Sequence, residues 1–198
     1  SKWNTSKSTN FIGTFYNCYN LKNLDVSKWN TSKAIRMGNL FYNCKSLTKL
    51  DVSNWDTTNV TEMYGMFRGC SNITELDLSN WNTSKVNNVV DIFSECSKIK
   101  LLNLTNWDFS SVTSVGGLNY MFNNCNNLTK IIGPISGIGY SLNLFDCPLD
   151  NESAMVFING LSTVSTNETI TFSKTTYDTL TEAQKKIATD KGWTVKSA

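Results

Sequence analysis

The sequence predicts an α/β array of stacked coils, a solenoid carrying one parallel sheet, closed at its C-terminal end by a small α/β segment. Three observations carry that prediction. Trp3, Trp29, Trp55, Trp81 and Trp107 recur at a constant step of 26 residues. Cys18, Cys44, Cys70 and Cys96 keep the same step, and so do Phe15, Phe41, Phe67 and Phe93. An LDxS stretch precedes the tryptophan at a fixed offset, as in LDVSNW at 50–55. A constant short period means that each unit forms one coil and buries its apolar face only against its neighbours.

Each element of the coil follows from spacing. Leu50 and Val52 alternate with polar Asp51 and Ser53, the two-residue period of a strand, and Leu47 precedes them. Asn30, Asp56, Asn82 and Asp108 follow the tryptophans and suit a turn or a helix N-cap. Val60, Met63, Phe67 and Cys70 are spaced by three, four and three, which predicts a helical or 3₁₀ return with one buried face. Stacking at about 4.7–4.9 Å would align Leu24, Leu50, Leu76, Leu102 and Ile131 in one ladder and the tryptophans in another. Phe122 and Cys125 come three residues late, a slip assigned to an insertion near Val115-Gly116-Gly117-Leu118.

The repeats occupy residues 1–132, in about five units. Residues 133–150 are a transition: both prolines, Pro134 and Pro148, lie here, Gly133 takes the place of a strand hydrophobe, and Leu144, Phe145 and Cys147 form a degenerate last unit. Residues 151–198 read as a cap. Asn151 or Ser153 caps a helix that runs through Leu161, Thr169 to Phe172 alternates as a strand, Leu180 to Lys191 is an amphipathic helix stopped by Gly192, and Trp193 to Val195 is a last strand. Phe172, Leu180, Ile187 and Trp193 are expected to pack on the final coil.

Composition narrows function. The chain has 198 residues, 40% hydrophobic, with net charge +2 and no histidine. The lack of histidine removes His-based triads, His metal sites and the commonest general base. Mixed charge without a basic run argues against nucleic acid, and no apolar stretch is long enough to span a bilayer. The chain opens in mid-unit at SKWNTSK, so further chain is expected before it.

The longer pattern, seen in MFRGCSNITELDLSNWNTSKVNNV at 66–89, resembles the leucine-rich repeats of BspA-like bacterial surface proteins. The segment from Leu149 onward resembles the closing segment of such arrays in bacterial surface and phage tail-associated proteins. The resemblance implies a curved right-handed leucine-rich-repeat solenoid, located at the cell surface or secreted, that serves adhesion, with host extracellular matrix proteins among its partners. A monomer without cofactor or metal is expected.

Four recurring features could carry chemistry. The six cysteines lack any C-x-x-C and read as a ladder of buried thiols rather than disulfides or metal ligands. The tryptophans read as core rather than as an exposed carbohydrate platform. Asp25, Asp51, Asp77 and Asn103 line up on the outward strand face, where the favoured role is hydrogen bonding to their own turns rather than cation binding. Triplets such as Asn30-Thr31-Ser32 are weak glycosylation signals in an Asn- and Thr-rich repeat. The candidate binding surface is that strand face, carrying Lys22, Asn23, Asp25, Lys49, Asp51, Glu75, Asp77, Lys100 and Lys130, because residues between inward hydrophobes point outward. The favoured function is protein binding or adhesion without catalysis; the alternative is a structural spacer or tail component with no ligand of its own.

Overall fold

The structure, a computed structural model, describes residues 3–113 and 117–198. Val115 and Gly116 of the expected insertion lie outside them.

The return segments decide how the repeats stack, and they are not helical. Residues 64–69 and their counterparts are consecutive turns. Every second N–H reaches the next repeat: Phe41, Asn43, Gly65 and Phe67 donate to the carbonyls of Met66, Arg68, Val90 and Ile92 at 2.7–2.9 Å. The N–H groups between them close tight turns, as Tyr42 to Asn39, Cys44 to Phe41 and Arg68 to Gly65 at 3.0–3.1 Å. From Gly65 to Gly69 every backbone N–H is bonded, alternately along the stack and within a turn. This alternation puts every fourth residue at positive φ: Gly13, Asn39, Gly65 and Asp91 in one column, and Asn17, Asn43, Gly69, Glu95 and Asn124 in the other. Glycine and asparagine tolerate that conformation best. Asp91 and Glu95 do not enjoy the same tolerance, and both pair with Arg68 of the preceding repeat, at 2.5 and 2.8 Å. Thus the predicted helical or 3₁₀ return with one buried face is instead a ribbon of turns closed three residues back, alternating with bonds along the stack, and it keeps the same inward residues.

Side-chain columns fill the space behind that ribbon. Trp29, Trp55, Trp81 and Trp107 are buried and stack with ring centroids 5.8–6.3 Å apart and planes within 12°. Phe15, Phe41, Phe67, Phe93 and Phe122 form a second stack at 5.7–5.8 Å. These offset stacks add to the area buried. Trp3, in the first repeat, is exposed. The indole N–H groups of Trp55, Trp81 and Trp107 also find carbonyls one repeat back, those of Val26, Val52 and Leu78, at 3.2 Å.

The predicted strand per repeat is realised only in part. β1 (Glu75–Asp77) and β2 (Leu101–Asn103) pair in parallel, and β2 pairs in parallel with β4 (Lys130–Ile132), with Leu76, Leu102 and Ile131 in register. Residues 24–26 and 50–52 carry the same sequence but form no strand, and Leu24 and Leu50 are only half-buried. Between the two lies β3 (Trp107–Asp108), which pairs with β5 (Ile135–Ser136).

The C-terminal segment continues parallel pairing with longer elements. β6 (Leu142–Leu144), β7 (Thr169–Phe172) and β8 (Thr194–Ser197) form a three-stranded parallel sheet. The cap of α1 (Asn151–Gly160) is Asp150 rather than Asn151 or Ser153, because its side chain accepts from the Ser153 N–H. Ser153 is fully buried and its hydroxyl accepts the Ile131 N–H at 2.9 Å, while Phe157 meets Phe122 edge-on at 5.7 Å. The predicted helix over 180–191 is the shorter α3 (Glu182–Thr189), with a capping box on Thr181 and Gln184, and it is preceded by a helix the sequence reading did not contain, α2 (Lys174–Thr179), capped by Ser173. Phe172, Leu180 and Trp193 are buried as expected, but Ile187 is 37% exposed and Ala188 faces inward in its place. Lys191 ties α3 to α1 by donating to the carbonyls of Asn159 and Leu161 at 2.9 and 2.8 Å.

Two outcomes are expected. Gly137 sits at φ +77°, where an added Cβ would lie 2.4 Å from the Ser110 nitrogen, whereas at Gly139 the nearest atom is 4.0 Å away. Gly137→Ala should cost about 2 kcal/mol or more in urea denaturation, and Gly139→Ala less than about 0.5 kcal/mol. A chain ended at residue 150 should self-associate and melt earlier, because it uncovers Phe122 and the edge of β4; a monomer of equal thermal stability would contradict this.

Candidate binding groove on the strand face

The LDxS motif places the strand-face carboxylates by local hydrogen bonding. Asp25 and Asp51 each accept both the N–H and the hydroxyl of the serine two residues on, at 3.1 Å and 2.6–2.7 Å. Asp77 accepts the Ser79 N–H, and Asn103 does the same for Thr105 with its amide oxygen. These are turns closed by the side chain, the favoured sequence expectation. A second set caps the turn after each tryptophan: Asn30, Asp56, Asn82 and Asp108 accept the N–H two residues on. Between them Thr31, Thr57 and Thr83 are buried and donate to the carbonyls of Asp56, Asn82 and Asp108 at 3.0 Å.

The bonds to Ser27 hold the Asp25 carboxyl below the usual carboxylate value, and those to Ser53 do the same for Asp51. A lowered folded pKa means that the associated stability is present above the unfolded value of 3.8 and is lost as pH falls through the folded value. Both groups are therefore ionised throughout the neutral and mildly acidic range.

A groove of about 980 Å³ runs along this face from Asn23 to Ile132. Leu24 and Leu50 form part of its floor, and Leu101 and Ile132 continue it. Asn23, Asp25, Lys49, Asp51, Glu75 and Asp77 line it, so six of the nine sequence-predicted residues come together. The remaining three do not. Lys22 and Lys100 are outside the lining, and Lys130 turns toward the C-terminal segment, where it contacts Asp150 at 3.4 Å and pairs with Glu152. Thr48, Leu24 and Leu50 also line the groove, although the inward pattern assigned the leucines wholly to the core.

The cysteine column is chemically quiet. All six cysteines are free thiols, and Cys44, Cys70, Cys96, Cys125 and Cys147 are buried. Each donates to the carbonyl of a preceding-repeat phenylalanine, Cys70 to Phe41 and Cys96 to Phe67 at 3.2 and 3.1 Å. Burial pushes the Cys44 thiol up to about 12, and those of Cys70, Cys96, Cys125 and Cys147 upward as well. Among the described residues no cluster of three metal-ligating side chains occurs, and no helix is long and apolar enough to cross a membrane.

Comparison with known proteins agrees with the repeat geometry. Residues 9–135 match the family described as Mycoplasma protein of unknown function, DUF285. The chain belongs to that family. Residues 91–184 of this DUF285 protein also match the BspA type leucine rich repeat region (6 copies), so its repeats are of the BspA-like class. No curated protein and no solved structure matches it.

In the native protein a thiol reagent at pH 8 should react with Cys18 first, which is only half-buried, and leave the other five silent. In denaturant without reductant all six should titrate; fewer would indicate disulfides.

Proposed function

We propose that this DUF285 protein is a right-handed leucine-rich-repeat solenoid over residues 1–132, joined by residues 133–150 to a cap over 151–198. In this reading it is displayed at the bacterial cell surface or secreted, and works as a protein-binding or adhesion module rather than as an enzyme. The observation that carries the reading is the groove: half-exposed Leu24 and Leu50 lie on its floor beside charged side chains of both signs. An apolar floor with a charged rim is the usual anatomy of a protein contact. BspA-type repeats support the same class of function. A repeat array also offers identical residues in columns, which suits an extended contact better than the complementary groups that catalysis needs.

The spacer reading has one observation in its favour. The column of Asp25, Asp51, Asp77 and Asn103 is explained by turn closure alone, so its uniformity needs no ligand.

The test is a binding screen of the immobilised protein against extracellular-matrix and bacterial surface proteins, followed by the charge swap Lys49→Glu with Glu75→Lys. Neither side chain closes a turn, so the fold should persist. The swap should weaken binding about tenfold or more. Unchanged affinity, together with loss in Tyr16→Ala and Tyr120→Ala on the exposed return side, would move the contact to that side. A screen in which no macromolecule binds would favour the spacer.

A further inference from the structure

We propose that the partner segment received by this groove is a cationic, extended stretch of polypeptide. The inference rests on the strand-face reading above and specifies the chemistry of what binds there.

Charge in the groove departs from charge in the chain. The protein as a whole is at +2, so its bulk field does not attract cations. Four carboxylates line the groove, those of Asp25, Asp51, Glu75 and Asp77, against the single ammonium of Lys49. Asp25 and Asp51 keep their charge into mild acid because their serines stabilise the ionised form. The turn geometry also fixes where the charge sits. Asp51 and Asp77 are pinned by Ser53 and Ser79, so one carboxylate row is preorganised along the array before any partner arrives. Preorganised rows lose little side-chain entropy on binding.

The floor selects the rest of the partner. Leu24 and Leu50 are half-buried where the parallel sheet is absent, and the edge of β1 borders the same groove. A chain with basic residues alternating with apolar ones presents ammonium or guanidinium groups to the carboxylate row and covers the leucines with the intervening side chains. Extended geometry delivers that alternation, because successive side chains of a strand point to opposite sides. Long basic side chains also reach a rim while their methylene stems lie on apolar surface.

The probe is a labelled dodecapeptide alternating Lys with Leu and Thr, compared with its Glu-for-Lys counterpart by fluorescence anisotropy on the full chain. The lysine peptide should bind at least tenfold more tightly, and its affinity should fall as salt rises. Neutralisation by Asp51→Asn, Glu75→Gln and Asp77→Asn should weaken it about tenfold. The fold should survive, because Asn103 already closes the same turn with an amide. The control Asp178→Asn, Glu182→Gln and Asp190→Asn removes the same charge from α2, α3 and the end of α3, and should leave binding unchanged. Equal loss in both triples, equal binding of both peptides, or binding of neither overturns the proposal. If a protein found in the screen binds through Lys49 and Glu75 yet keeps its affinity in the neutralised variant, the strand-face reading stands and the cationic partner falls.

Discussion

The stack depends on one repeated hydrogen bond, the N–H of a return residue to the carbonyl 25 residues further on, as from Phe41 to Met66. It sets the spacing between repeats. It forces the alternating backbone, because only with neighbouring N–H groups folded into tight turns can every second one point along the stack. It also dictates composition: two return positions four residues apart in each repeat must adopt positive φ, and Gly13, Asn39 and Gly65 supply it in one column. Where the sequence departs to Asp91 and Glu95, Arg68 holds both carboxylates, and Tyr42 faces the guanidinium at 5.6 Å. A charged pair here offsets a conformational cost that glycine avoids.

The interior columns follow from that spacing and leave few polar atoms to other uses. A repeat array exposes each coil's backbone carbonyls to the next, and the side chains that recur at 26 residues are those that can answer them. The indole N–H of Trp81 answers Val52, the thiol of Cys96 answers Phe67, and the hydroxyl of Thr57 answers Asn82. Each is largely apolar with a single donor, which suits a buried position where one acceptor needs one partner. The cysteines recur for this reason, with no redox or metal role required.

Much of this was legible from period alone. Register, the buried tryptophan and phenylalanine columns, the free thiols and the turn-closing aspartates all follow from residues recurring at the same offset. The return was misread because Val60, Met63, Phe67 and Cys70 bury the same side chains whether the backbone is helical or a ribbon of turns. A discriminating signal was present: Gly or Asn at 13, 39 and 65, and again at 17, 43 and 69, is poorly suited to helix interiors. In the C-terminal segment the spacing of Leu180 and Ile187 suggested one helix face, but Thr181 caps a helix that begins at Glu182, so Leu180 never shares that face. α2 has no apolar period to find. That Leu50 would be half-exposed while Leu76 is buried was not legible, since LDVS and LDLS are nearly the same words.

Where repeats are so uniform, selectivity has to come from the positions that no structural demand fixes. The aspartate column is committed to turn closure, the leucine column to packing, and the tryptophan column to the core. The column before the second leucine has none of these duties and reads Asn23, Lys49, Glu75, Leu101 and Lys130 along the array. Four of these line the groove, and the fifth, Lys130, is drawn off by Asp150 and Glu152. The C-terminal segment therefore does more than cover the last repeat. By holding Lys130 away it removes a cation from the row, and the acidic excess left by Asp25, Asp51, Glu75 and Asp77 is opposed only by Lys49 among the groove's lining residues. Fixed carboxylates give the surface its sign, and in the proposed binding mode the unconstrained column is what would distinguish one extended chain from another.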